Sequence, residues 1–204
     1  MSSLTETWTQ SPEENDVLPH IHFERHLYLP LLLKGGALLN AVPSSLEASE
    51  AQFVRDLKGY WEKEKDRALK DQELFLLRNL SRGKGVGFFE ESGFYPDFIL
   101  WVVDKQSQRI VFIEPHGMLH AKAYVHDDKA RLWERLPELA REIGKRSDDR
   151  RDIFLDSYVV SATVYEDLYQ SYDDGTWNRE KFAQHHILFP ERNQNYDYLK
   201  LLFT

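Results

Sequence analysis

The chain contains no cysteine. A disulfide framework and thiolate zinc sites are therefore excluded, and the composition suits a reducing compartment. Long apolar runs are also missing. No stretch approaches the ~20 residues of a membrane span, and the amino terminus lacks the basic-then-apolar order of a secretory signal. A cytoplasmic protein is the expectation. Positive charge is scarce too: 26 Lys and Arg stand against 34 Asp and Glu, for a net charge of −8. Proteins that grip nucleic acid unaided carry a basic surplus, because phosphate neutralisation supplies most non-specific affinity. Any polyanionic partner must therefore meet a local basic patch, a bound metal or a second module. Internal repeats and low-complexity tracts are absent as well. What is present is 42% hydrophobic residues over 204 positions, enough for a packed core in one large domain.

Residues 1–18 are polar and acidic without periodicity and read as a flexible leader; residues 19–204 read as a single domain with its core at about 50–165. "HIHFERHLYLPLLLK" predicts an extended segment or strand that Gly35 and Gly36 break. A helix follows from about residue 50, with Ser49 as a cap and Phe53, Leu57 and Tyr60 or Trp61 on one face. The spacing of Leu74, Leu77 and Leu80 predicts a second helical stretch, so helix is expected from about 50 to 80. Three strands are expected over 86–114, in "VGFFEE", "DFILWVVD" and "RIVFIE", with "DKQSQ" as the last turn. A helix at about 127–145, kinked or divided at Pro137, precedes a strong strand in "DIFLDSYVVSATVY". "WNREKFAQHH" predicts a helix, "ILF" a short strand and "YDYLKLLF" a terminal helix or strand. A helix between the third and fourth strands implies a crossover. The fold class is α/β, a mixed β-sheet flanked by helices.

Two carboxylates stand at unusual points of the hairpin "YPDFILWVVDKQSQRIVFIEPHG". Asp97 follows Pro96 where the first strand begins, and Glu114 ends the second strand before Pro115. Antiparallel pairing makes Asp97 and Glu114 neighbours, and alternation turns Glu114 and His116 to the same side. Two carboxylates brought together repel unless a cation lies between them. Hard divalent ions such as Mg²⁺ or Mn²⁺ suit one or two carboxylates completed by water and phosphate oxygens. The same residues also suit a turn aspartate and a solvated strand-end glutamate.

The pair Pro96-Asp97 with Glu114-Pro115-His116 resembles the PD-(D/E)xK, or restriction-endonuclease-like, nuclease superfamily. The order helix, three-stranded meander, helix, strand over residues 72–161 resembles its α-β-β-β-α-β core. The run from Glu73 to Leu100 is similar to nuclease domains of helicase-type restriction and phage-defence proteins. The resemblance implies a metal-dependent DNA endonuclease, within a restriction or phage-defence system, that hydrolyses phosphodiester bonds. It implies Asp97 and Glu114 as ligands of Mg²⁺ or Mn²⁺, the carbonyl of Pro115 as a further ligand, and an acidic residue from the first helix, with Glu73 in that place or else Glu50 or Glu62. One departure matters. His116 stands where the family has lysine, and three accounts stay open: His116 positions the attacking water or accepts its proton, Lys122 or Lys129 reaches in from the following segment, or cleavage is lost and a non-catalytic domain binds nucleic acid or protein. The acidic charge implies a linked or associated helicase or ATPase module; a linked one would make the chain an excised domain.

Arg78, Arg82 and Lys84 are candidate DNA-backbone contacts, and "REIGKRSDDRR" adds Arg141, Lys145, Arg146, Arg150 and Arg151 as a local basic patch. A solvated loop and a helix end favourable to the dipole are the competing readings. His20, His22 and His26 have spacings that could bind zinc, but without Cys or a second cluster they read as surface or cap histidines, as do His185 and His186. "GKGVG" lacks the Gly-Lys-Ser/Thr ending of a phosphate loop and runs from helix into strand, so it is rejected as a nucleotide site. Ile99, Trp101 and Phe112 are expected in the core.

Overall fold

The computed structural model describes residues 20–25, 27, 31–33, 45–80, 87, 95–117, 130–147, 149–169, 177–192 and 195–204. Two short strands, β1 (His20–Ile21) and β2 (Leu31–Leu32), pair antiparallel. Helix α1 (Ala48–Glu64) leads to β3 (Glu73–Arg78), β4 (Phe98–Val103) and β5 (Ser107–His116). A 3₁₀ turn at Leu132–Glu134 precedes α2 (Leu136–Arg146) and β6 (Asp152–Ser161). Two short helices, α3 (Tyr165–Tyr169) and α4 (Arg179–Gln184), then β7 (Ile187–Leu188) and a 3₁₀ helix at Asp197–Phe203 complete the order. The strands form one open five-stranded sheet, β3-β4-β5-β6-β7. It is mixed: β3, β4 and β5 run antiparallel, whereas β5/β6 and β6/β7 are parallel. The parallel step demands a crossover, and α2 supplies it. The protein is thus α/β, with helices on both faces of a mixed sheet.

Each face has its own core. Phe53, Val54, Leu57, Tyr60 and Trp61 of α1 are buried against Leu74, Leu76, Phe98, Leu100, Val111 and Ile113, with the Phe53 and Phe98 rings 5.3 Å apart. On the opposite face Leu136 and Ala140 of α2 cover Ile99, Phe112 and Leu155, with Trp101 packed alongside. The predicted face of α1 and the predicted core residues are therefore found in place. The C-terminal 3₁₀ helix packs on α1: the Tyr198 hydroxyl donates to Asp56 Oδ2 at 2.6 Å, and Lys63 meets Asp197 at 2.7 Å. No helix among the described residues is long and apolar enough to cross a membrane.

The expected helix to residue 80 is corrected. Residues 73–78 form a strand, paired from Glu73↔Val103 to Arg78↔Phe98. Leu74 and Leu76 face α1 while Leu77 faces the α2 side. A segment covered on both faces is apolar throughout, and periodicity cannot separate it from a helix. The meander is consequently built from 73–78, 98–103 and 107–116. The expected strand over "VGFFEE" lies outside the described residues apart from Gly87. Pro137 sits in the first turn of α2, where its missing N–H costs nothing, and it divides the expected helical stretch into the 3₁₀ turn at Leu132–Glu134 and α2. Ser49 is not the cap of α1. Glu47 holds that position, its N–H donating to the Glu50 carboxylate at 2.6 Å.

The β4–β5 turn is pinned by Asp104, whose carboxylate accepts from the N–H groups of Gln106 and Ser107 at 2.7 Å each and from the Ser107 hydroxyl at 2.9 Å. These donors hold its carboxyl below the usual carboxylate range. A depressed folded value means the contribution to stability is present above the unfolded value of 3.8 and is lost as pH falls through the folded one. Solvent exposure keeps it small. Asp104→Asn is expected to flatten the acid limb of a melting-temperature profile below pH 3.8, while leaving the neutral limb parallel to wild type.

Candidate metal centre

The hairpin register fixes the positions of the two carboxylates. Strands β4 and β5 pair from Val103↔Gln108 to Phe98↔Ile113. One step further along this register sets Asp97 against Glu114. On the other side of β4 the Asn79 N–H donates to the Asp97 carbonyl at 2.7 Å, so the β3–β4 pairing runs on to Asp97. Directly opposed residues of an antiparallel pair hold their Cβ atoms ~4.5–5.5 Å apart on one face. That face is the α2 side, shared with Ile99 and Phe112. One oxygen of Glu114, Oε2, is a buried atom, and Asp97 is half-buried. His116 follows on the same side by alternation and is exposed at the strand end.

Beyond Ile113, β5 outruns β4 and keeps only β6 beside it, to His116↔Ser161. The Ala162 N–H donates to the His116 carbonyl at 2.9 Å, so the backbone of His116 turns toward β6. Alternation then turns the Pro115 carbonyl the other way, toward the end of β4 where Asp97 lies. Proline fits that place, since no ladder N–H is needed beyond the last pair and the carbonyl is retained. Oxygen donors of this kind match the preferences of a hard divalent ion. Among the described residues there is no group of three or more His, Asp or Glu able to hold a metal. A Mg²⁺ site needs only one or two carboxylates.

Asn79 is a residue that sequence reading passed over. It is buried, and its side-chain amide donates to the Pro96 carbonyl at 2.9 Å while its N–H holds Asp97. It thereby positions both residues of the Pro-Asp step. Its signal in sequence was only that a polar residue ends an apolar strand. Asn79→Ala leaves a buried carbonyl without this donor, at a cost of ~1–3 kcal/mol. Urea unfolding should report that loss, and Mn²⁺ affinity should weaken with it.

Several expected site residues lie elsewhere. Glu73 pairs with Val103, six residues from Asn79 and so ~20 Å along the strand from Asp97. It cannot join the carboxylates. Glu50 is buried on the α1 face, bonded to Arg78 at 2.9 Å, with the sheet between it and Glu114. Glu62, near the remote end of α1, is paired with Lys65. No acidic residue of α1 reaches the pair. Arg78 is not a surface cation: it pairs with Phe98 in register, its side chain is bonded to Glu50 on the α1 face, and it is only 9% exposed. Arg82, Lys84, Lys122 and Lys129 lie outside the described residues. Lys145, Arg146 and Arg150 are exposed as expected, but at the other end of the sheet. Their loop leads into Asp152, which pairs with Ser107, whereas Glu114 pairs with Val159.

His185 and His186 have structural partners. His185 Nδ1 lies 2.8 Å from the Lys181 carbonyl at the end of α4. The His186 ring is stacked between Trp133 at 4.4 Å and Tyr158 at 4.5 Å, with Nδ1 2.9 Å from Asp156 Oδ1. It ties the 3₁₀ turn to β6. Burial, reinforced by the Asp156 charge, pushes the Tyr158 phenol well above its ordinary value. His22 takes part in no metal group among the described residues. Comparison with models of known families, with curated proteins and with solved structures finds no significant match to this chain.

Proposed function

We propose that the chain is a metal-dependent DNA endonuclease domain with a restriction-endonuclease-like core, in which Asp97 and Glu114 hold Mg²⁺ or Mn²⁺. One observation supports the reading: the β4–β5 register, carried one step past its last pair Phe98↔Ile113, would set the two carboxylates against each other on one face, where β5 outruns β4. The order α1-β3-β4-β5-α2-β6, with β6 parallel to β5, supports it as the α-β-β-β-α-β order of that superfamily. Asp97 and Glu114 would be the charged ligands and the Pro115 carbonyl a neutral one. When bound, the ion supplies an acidified water and neutralises charge on a phosphoryl oxygen. His116, on the Glu114 side of the strand, would orient the attacking water or take its proton. The net charge of −8 leaves a linked or associated helicase or ATPase module to supply most of the DNA affinity. Restriction or phage defence is the setting this chemistry suits.

The histidine in place of lysine favours a second reading, in which the same core binds nucleic acid or protein without cleaving. Cleavage of plasmid DNA in Mg²⁺ or Mn²⁺, with and without chelator, separates the two. In the nuclease reading His116→Ala lowers the rate about 10²-fold or more, as expected for loss of a general acid–base group. Its Mn²⁺ affinity stays near wild type, and His116→Lys keeps or raises activity. A wild-type chain that binds Mn²⁺ and DNA without cutting supports the second reading.

A further inference from the structure

We propose that the free edge of β6 is a docking strand for an extended acidic segment of a partner protein. Strand β6 pairs with β5 along its whole length, but with β7 only at Val159 and Val160. The Val159 N–H donates to the His186 carbonyl at 2.9 Å, so the odd-numbered residues of β6 turn their backbone groups to the β7 side. Ser157 is already occupied there: its N–H meets Asp156 Oδ1 at 2.8 Å and its carbonyl faces His186 Nδ1 at 3.1 Å. Among the described residues, no strand pairs with this side of Ile153 and Leu155. Two N–H and two C=O groups thus line a sheet edge that no strand pairs among the described residues, which is the template for strand addition.

A groove of ≈ 890 Å³ lies along this edge, between β6 and α2. Arg141, Lys145 and Arg150 line it. Of its acidic residues, Asp149 is held by Arg151 at 2.5 Å, and Asp156 by Arg109 at 3.6 Å and His186 at 2.9 Å. Arg141 is shared with Glu138 at 3.8 Å, which leaves Asp152 against Lys145 and Arg150, so the groove is locally basic within an acidic protein. Phe154, 45% exposed beneath the Arg109 guanidinium, offers an apolar footing beside it.

Charge and hydrogen bonding together choose the occupant. A peptide backbone answers both the N–H and the C=O groups of the edge, and acidic side chains answer the rim. A nucleic-acid backbone only accepts near its phosphates, so it would leave the Ile153 and Leu155 carbonyls facing negative charge. A second copy pairing edge to edge would bring two basic rims together. The groove is also separate from the candidate metal centre. Ile153 pairs with Gln108 and Val159 with Glu114, six residues along the strand and ~20 Å away. The proposal therefore stands whether or not the chain cleaves DNA.

The test uses the full chain and a blocked peptide of alternating glutamate and valine, followed by fluorescence anisotropy, with alternating lysine and valine as control. Saturable binding of the acidic peptide is expected, together with slowed exchange of the Ile153 and Leu155 amides. Reversing Arg141, Lys145 and Arg150 to glutamate should weaken it about tenfold, the combined effect of three exposed ion contacts. Ile153→Pro removes an edge donor without touching the β5 ladder and should weaken binding severalfold at an unchanged unfolding midpoint. If that variant does not fold, the exchange data on the wild type still decide the matter. Absence of binding, binding indifferent to the charge reversal, or unslowed exchange at Ile153 and Leu155 overturns the proposal. So does single-stranded DNA that competes for the groove and is unaffected by Ile153→Pro, which makes it a nucleic-acid surface. Protection of the same amides by self-association without peptide makes the occupant a second copy and also overturns it.

Discussion

Asp97→Asn and Glu114→Gln are each expected to lower Mg²⁺-dependent cleavage by of the order of 10²–10³-fold, the usual loss when one preorganised electrostatic group leaves a site. The double variant should be little worse than either single one, because ligands of one ion act as a unit. Stability supplies a second readout. With Mn²⁺ the wild type gains stability in proportion to the logarithm of metal over its dissociation constant, and the variants do not. Loss of activity together with loss of metal-free stability would make the carboxylates structural residues of the hairpin.

Arg78→Ala is expected to cost ~3–5 kcal/mol, the penalty for leaving one member of a buried ion pair without its counter-charge. Its partner Glu50 is 6% exposed and also caps the first turn of α1 through the Glu47 N–H, so the loss should reach the packing of α1 on the sheet. Replacing both residues by leucine should recover most of the stability, since apolar substitution of a buried pair is often neutral. Chemical denaturation measures both effects. If Arg78→Ala instead weakens DNA binding at unchanged stability, the side chain is a ligand contact, as its sequence position had suggested.

The legible parts of the fold were those with one clear period. Phe53, Leu57, Tyr60 and Trp61 gave the buried face of α1. The β-branched and aromatic runs either side of Asp104 gave the β4–β5 hairpin. Strand β3 was illegible as a strand because its two faces meet two different cores, leaving Leu74, Leu76 and Leu77 with no alternation to read. That misreading carried Glu73 into a helix and toward the site. Arg78 was read as a surface cation because Glu50 lies 28 residues away in sequence, and no local pattern marks a partner at that separation. The basic residues after α2 were recognised as a patch, but not their location. The parallel crossover brings the end of α2 to the start of β6, opposite the end where Glu114 sits.

Mn²⁺ titration of the full chain, followed by electron paramagnetic resonance of the free ion, tests the shared carboxylate site directly. The wild type is expected to take up Mn²⁺ in competition with Mg²⁺, and Asp97→Asn and Glu114→Gln each to abolish that uptake, while Glu73→Gln and Glu50→Gln leave at least some binding intact. Uptake that survives both the Asp97 and the Glu114 substitutions, or a wild type that takes up no Mn²⁺, would contradict a metal held between these two strands.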